Sequence, residues 1–261
     1  MVTSRGHDAE EVTYPFGAGS TYDRGDPVPW ILTSTLGHLG DDPDALWGEL
    51  RQWLERRGES PVAGHYRALF EHLAAEAGKR CWVERSGSSI DYLADLLGCF
   101  GTEDLRVVHI HRDGAEVALS MRNHAFYRLA VQLYYGVQPP GVDPTDEEAM
   151  VDAWLAADPP VELYGRYWSE QVCRGVPVLA ALPEHQVRSV RFEDLVADPE
   201  PQMEDLADFL GLDPVPGFPA RASALVRGGP APRVPGLPKG DRERLNAACA
   251  PGRATLATAG P

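Results

Sequence analysis

Arg106-Val107-Val108-His109-Ile110-His111 runs directly into Arg112-Asp113-Gly114 and then into Ala115-Glu116-Val117-Ala118-Leu119-Ser120. The β-branched run reads as a strand, Arg-Asp-Gly as a short polar loop, and Ala115 onward as a helix. Arg112 thus stands at the C-terminal end of a strand, which is where open α/β sheets bind ligands. Ser120 follows eight residues later, about two helical turns on. A strand-end arginine and a hydroxyl from the adjoining helix can converge on one phosphate, and arginine offers it a fixed fork of donors with a permanent charge. The spacing also fits a plainer arrangement. In that arrangement Arg112 pairs with Asp113 or a neighbouring carboxylate, and Ser120 bonds back within its own helix.

The pattern on either side is of the same kind. Upstream, Cys81-Trp82-Val83-Glu84 is a short strand candidate, Arg85 to Ser89 a polar loop, and Ile90, Leu93, Leu96 and Leu97 a helical stripe ending at Gly98. Downstream, a strand over Val187 to Phe192 precedes a helix opened by Asp198-Pro199, carrying Met203, Leu206, Phe209 and Leu210, and closed at Gly211. Strands alternating with helices across short loops predict an α/β fold with a parallel sheet. Before them come two helices. The first has Asp42 as N-cap, Pro43 at its first position and Gly58 at its end; the second runs through Tyr66, Leu69, Phe70 and Leu73 to Gly78. Residues 1–40 read as irregular. The 213–261 segment reads as proline-rich, then a short helix from Asp241 to Ala250 and a loose tail. Without repeats or a break in composition, residues 1–261 are expected to form a single domain.

The chain has 261 residues and a formal charge of −15, from 24 Lys+Arg against 39 Asp+Glu. A surface that acidic repels phosphate backbones and anionic headgroups, so neither nucleic acid nor a membrane is expected as a partner. The stretch from Leu129 to Gly165 has no basic residue but carries Asp143, Asp146, Glu147, Glu148, Asp152, Asp158 and Glu162, which predicts a helical insertion with an acidic face. No apolar run reaches the roughly 18 residues of a spanning helix. The N-terminus lacks the apolar stretch of a secretory signal. Cys81, Cys99, Cys173 and Cys249 are widely spaced, with no Cys-x-x-Cys, so neither a disulfide framework nor a metal site is expected. Together these predict a reduced, cytoplasmic protein.

Three segments together resemble the sulfotransferases that use 3′-phosphoadenosine 5′-phosphosulfate (PAPS). WVERSGSSIDYLADLL at 82–97 resembles the family's Trp-x-Glu-Lys-Ser/Thr strand, turn and helix. RVVHIHRDGAEVALS at 106–120 resembles its 3′-phosphate motif, with Arg, Asp, a small turn residue and Ser at matching positions. VRSVRFEDLVADPEPQMEDLADFLGL at 187–212 resembles its Arg-Tyr-Glu-Asp-Leu, Asp-Pro, Phe-Leu-Gly segment. The resemblance implies a three-layer α/β/α fold related to P-loop proteins. It implies transfer of a sulfuryl group from PAPS to a hydroxyl or amine of a small-molecule acceptor, with no metal. Position by position, it makes Arg112 and Ser120 ligands of the donor's 3′-phosphate and sets Glu84 and Arg85 beside the sulfuryl group. It also places Arg227, with Gly228-Gly229, in a basic loop over the cofactor, and the acidic 129–165 insertion against the acceptor.

The sequence departs from that pattern at one important point. The family's phosphosulfate loop, a Gly-x-x-Arg-Ser-Gly-Thr-Thr-like turn after the first strand, has no counterpart. Gly17-Ala18-Gly19-Ser20-Thr21 follows Pro15-Phe16 rather than an apolar strand and reads as a turn. The expectation is therefore a chain without the family's N-terminal strand and without its usual base. An incomplete relative that binds nucleotide without turnover is one alternative. A non-catalytic interaction module docking through the acidic insertion is the other. His65, His111 and His124 are candidate bases by type. However, His111 alternates with Arg112, and the other two lie on amphipathic helices that suit packing roles. Ser89 is expected to cap its helix. Gly-x-Ser-x-Gly, Walker A and Gly-x-Gly-x-x-Gly motifs are absent from the sequence.

Overall fold

The computed structural model describes residues 20–21, 27–28, 36–37, 39–85, 89–103, 105–213 and 215–258. It divides into two compact units, Met1–Gly101 and Thr102–Pro261.

In the first unit, Ser20–Thr21 (β1) and Pro27–Val28 (β2) form a short antiparallel pair. Gly17 to Gly19 of the expected turn lie outside the described residues, as do Ser86 and Ser88. Helix α1, Pro43–Arg57, starts as its sequence predicts: Asp42 accepts a hydrogen bond from the Ala45 N–H at 2.8 Å, and Pro43 occupies the first position, where no N–H is needed. Gly58 leaves the helix with φ 71°, a backbone that glycine adopts without strain. Helix α2, Val62–Glu76, lays Leu69 against Leu36, Trp47 and Leu50, with Trp53, Leu54 and Leu73 at the edge of this core. Helix α3, Leu93–Phe100, begins later than the stripe from Ile90 predicts and continues past Gly98 to a turn at Gly101. Its N-cap is Tyr92, not Ser89.

Cys81–Glu84 is not a strand. Trp82 is drawn inward, packing on Phe70 and Phe100 with ring centroids 4.6 and 5.3 Å away, and Glu84 is half-buried, while Val83 is 83% exposed. A side chain that finds an aromatic pocket fixes the segment without any ladder partner.

The second unit is built around the stretch that decided the fold. Val107–His111 (β3) pairs in parallel with Val187–Arg191 (β4), Val107 opposite Val187 and His111 opposite Arg191. Among the described residues the parallel sheet consists of these two strands, so the α/β class holds with a small sheet. β3 leads into α4, Gly114–Arg122, then α5, Ala125–Tyr134, α6, Glu147–Ala156, and the long α7, Val161–Ala180. A 3-10 turn over Glu184–Gln186 leads into β4, which is followed by α8, Phe192–Ala197, and α9, Pro199–Phe209. The proline-rich segment is not wholly irregular. It contains α10, Phe218–Ser223, and a 3-10 turn at Val234–Gly236, with Pro219 and Pro235 in opening turns where proline is tolerated.

The last helix, α11, spans Lys239–Thr258, twice the expected length, and runs through Pro251. There it packs against α7. Ser169 Oγ donates to the Ala248 carbonyl at 2.8 Å and accepts the Gly252 N–H at 3.2 Å, bridging two groups of the α11 ladder next to the proline. Small residues bring α4, α7 and α11 this close. A Cβ at Gly165 would meet Leu245 at 2.9 Å, and one at Gly252 would meet the Ser169 Cα at the same distance. Tyr164, Trp168, Val172 and Val176 of α7, Ala115 and Ala118 of α4, and Leu245 and Cys249 of α11 fill the buried interior.

Four of the acids in the 129–165 stretch have local or ionic duties. Asp143 accepts from the Thr145 N–H and hydroxyl, and Asp146 caps α6 through the Ala149 N–H. Asp158 takes a two-pronged bond from Arg122, and Glu162 pairs with Arg244 at 3.1 Å. The Arg122 guanidinium beside Asp158 holds that carboxyl below the usual aspartate range. Glu148 and Asp152 are exposed to solvent.

Candidate functional site

Arg112 directly follows β3, and its side chain is 18% exposed. Its guanidinium lies over the Phe192 ring, 4.8 Å from the centroid, and 3.9 Å from Glu116 Oε2 one helical turn away. The latter separation is outside hydrogen-bond range, so the donor fork is not committed to that carboxylate. Asp113 is the N-cap of α4, with Oδ1 accepting from the Ala115 and Glu116 N–H groups at 3.0 and 3.1 Å. Its Oδ2 accepts from Arg253 Nη2 at 2.9 Å, tying the strand end to α11. The Asp113 N–H points to Glu193 Oε1 at 3.4 Å. Ser120 is exposed in the last turn of α4.

Glu116 is buried at 8% exposure, and its Oε1 accepts from the backbone N–H groups of Arg233 and Val234 at 2.8 and 3.0 Å. Oε2 lies 3.5 Å from Arg233 Nε, and Arg233 Nη2 donates to the Glu116 carbonyl at 3.1 Å. Two guanidiniums therefore face one carboxylate, while Asp113 and Glu193 at the same strand end pair with Arg253 and Arg191. The proline-rich segment that carries Arg227 is pinned here; Arg227 itself is exposed.

His109 and His111 stand two apart on β3 with their rings 5.4 Å apart and nearly parallel. Burial, reinforced by the neighbouring His111, pushes His109 down to about 4. Burial also lowers His111, opposed by Glu193. The His109 imidazole is thus neutral in the folded protein near pH 7.

Glu84 and Arg85 belong to the first unit. Glu84 Oε2 accepts from Ser89 Oγ at 2.8 Å, so this serine closes the 84–89 loop instead of capping α3, and Arg85 is exposed. Glu116, Phe192, Glu193, Arg233 and Arg253 were not read from the sequence as parts of the site. One signal was there for Glu116: Asp113-Gly114-Ala115-Glu116 has the Asp-x-x-Glu spacing of a helix start. Among the described residues no group of three or more His, Cys, Asp or Glu is placed to hold a metal, and no helix is long and apolar enough to cross a membrane.

Compared with known proteins, residues 51–216 match the family model described as the sulfotransferase family, which is more than half of the chain. The chain belongs to the sulfotransferase family. The match spans all three motif-bearing segments, 82–97, 106–120 with Arg112 and Ser120, and 187–212. Among solved structures, this sulfotransferase is similar to the sulfotransferase domain from the curacin biosynthetic pathway, at 16% identity and a TM-score of 0.49. That similarity covers 87% of this chain and 79% of the other. No curated protein matches the chain.

Proposed function

We propose that this sulfotransferase moves a sulfuryl group from PAPS to a hydroxyl or amine of a small-molecule acceptor, as a single cytoplasmic domain. The observation that carries the reading is Arg112. It sits at the C-terminal end of a parallel strand, held in direction by the Phe192 ring, with its donor fork uncommitted to Glu116. Arg112 and Arg233 flank one carboxylate, and their guanidinium donors suit a phosphate dianion. In this reading Arg112 and Ser120 bind the 3′-phosphate of the donor, and Arg227 approaches from the proline-rich segment. Glu84 and Arg85 act at the sulfuryl end, where a fixed cation stabilises charge as it develops on the leaving group. A sulfur–oxygen bond to the acceptor forms while the bond to the 5′-phosphate breaks, releasing 3′-phosphoadenosine 5′-phosphate and a proton. No metal enters this reading, and the surplus acidic charge disfavours nucleic acid and anionic membranes as partners.

Calorimetry with 3′-phosphoadenosine 5′-phosphate and adenosine 5′-phosphate, run alongside a sulfate-transfer assay over phenols, sugars and amines, tests it. Arg112→Ala is expected to weaken the first nucleotide by about 1.5–3 kcal/mol, the scale of a hydrogen bond to a charged group. The second nucleotide, which lacks the 3′-phosphate, should change far less. Equal losses for both would overturn the assignment of Arg112.

A further inference from the structure

We propose that Glu116 is a positioning residue that joins the proline-rich segment to α4 and so sets Arg112 and Arg233 for the 3′-phosphate; the proposal rests on the functional reading above. Three observations carry it. In a capping box the glutamate three residues after the N-cap turns back to the N-cap N–H. Here that N–H is directed to Glu193 instead, and Glu116 is turned outward to a segment more than a hundred residues away. There its Oε1 accepts the N–H groups of Arg233 and Val234, where the 3-10 turn begins, and Arg233 returns a bond to the Glu116 carbonyl. Residues 227–232 make no backbone hydrogen bond with the described residues, so this joint is where the segment is held to α4.

The third observation is a matter of sign. A buried carboxylate beside a phosphate site opposes binding through its charge. If its influence were electrostatic alone, neutralising it would tighten nucleotide binding. If it positions the segment and the two arginines, neutralising it loosens binding. Glu116→Gln separates the two. The amide oxygen can still accept backbone N–H groups, but its NH₂ would face two guanidiniums with donor against donor.

The experiment measures affinity for 3′-phosphoadenosine 5′-phosphate and for adenosine 5′-phosphate, together with the rate of tryptic cleavage after Arg227 and Arg233. For Glu116→Gln, affinity for the first nucleotide should fall roughly 10- to 100-fold, because an amide donor facing two guanidiniums displaces them and the segment they hold. Affinity for the second should stay within about threefold. Cleavage after Arg227 should quicken, because a segment that opens more often is cut more often. Arg233→Ala leaves the buried carboxylate and its backbone bonds in place, and should lower affinity for the first nucleotide by roughly 3- to 10-fold. If the wild-type chain binds and Glu116→Gln binds as well or better with unchanged cleavage, the positioning role is overturned while the functional reading stands. If the wild-type chain binds neither nucleotide, the functional reading fails and takes this proposal with it.

Discussion

Gly114→Ala should destabilise the second unit by overpacking, although it adds one methyl group. Gly114 opens α4 immediately after the site loop. A Cβ there would lie 2.3 Å from Trp168 Cζ3, 2.5 Å from Cε3 and 2.6 Å from Cη2. Carbon atoms at optimal contact stand about 3.5–4.0 Å apart, so ring or helix must move by more than about 1 Å. The ring has nowhere to go. It is buried at 6% exposure, and its Cζ3 is already 2.7 Å from where a Cβ on Gly252 would sit, on the α11 side. Overpacking of this kind costs about 1–3 kcal/mol or more. In a unit of this size each kcal/mol lowers the midpoint by roughly 2–4 °C. Thermal and urea unfolding of wild type and variant measure it. Gly48→Ala on α1, where a Cβ meets nothing within 4 Å, serves as the control. It should stabilise by about 0.5–1 kcal/mol, through helix propensity alone. In a double-mutant cycle with Trp168→Leu the Gly114→Ala penalty should shrink, because the obstructing ring is gone. A Gly114→Ala protein within about 0.5 kcal/mol of wild type would refute the reasoning, since surface-like tolerance is incompatible with those distances.

Two further outcomes follow from buried polar groups. Ser169→Ala removes the hydroxyl that bridges Ala248 and Gly252, and should cost about 1–3 kcal/mol in urea unfolding, with the loss traced to α11 by hydrogen exchange at Gly252. His109 is held to about 4 in the folded protein against an ordinary 6.5, so the unfolded chain binds the extra proton between those values. Stability is therefore complete above pH 6.5 and falls as the pH drops towards 4; His109→Gln should flatten that slope in urea midpoints measured across the window.

How much of this was legible depends on whether the cause was local. β3, α1 and the helix after Asp198 follow from β-branched runs, a capping aspartate, an N1 proline and closing glycines, all of which act within a few residues. The strand-end position of Arg112 was readable for the same reason, because the strand, loop and helix around it are contiguous. The failures share a different cause. α11 looked as if it should stop before Pro251, yet it runs on past the proline packed against α7, whose Ser169 bonds Ala248 and Gly252 on either side of it. Cys81–Glu84 had the composition of a strand, but it is fixed by the Trp82 ring between Phe70 and Phe100 and needs no ladder. The acidic stretch read as one charged face, yet Arg122 and Arg244, both outside it, neutralise Asp158 and Glu162. α7 was not read from the sequence, although Val161, Tyr164, Trp168, Val172, Val176 and Leu179 recur at helical spacing. What its pattern does not convey is the closeness to α11, which shows at Gly165, where a Cβ would meet Leu245 at 2.9 Å.

The same distinction between local and distant causes bears on the site. Asp113 and Glu116 occupy the positions of a self-contained helix start, and each makes bonds to elements far away in sequence. Asp113 caps α4 with one oxygen and holds Arg253 of α11 with the other, while its N–H points to Glu193 of α8. Glu116 leaves the cap altogether and takes the backbone of residues 233–234. Each carboxylate thereby fixes two elements with one side chain, and Arg112 immediately precedes them in sequence and lies against Phe192 in space. For a phosphate-binding arginine this arrangement has a physical consequence. A guanidinium held by its surroundings loses less rotational freedom on binding, so more of its interaction energy with an anion appears as affinity. The buried glutamate is a cost that a site built only for anion attraction would not carry. Its presence fits a site in which holding the arginines in place matters more than the full strength of their field.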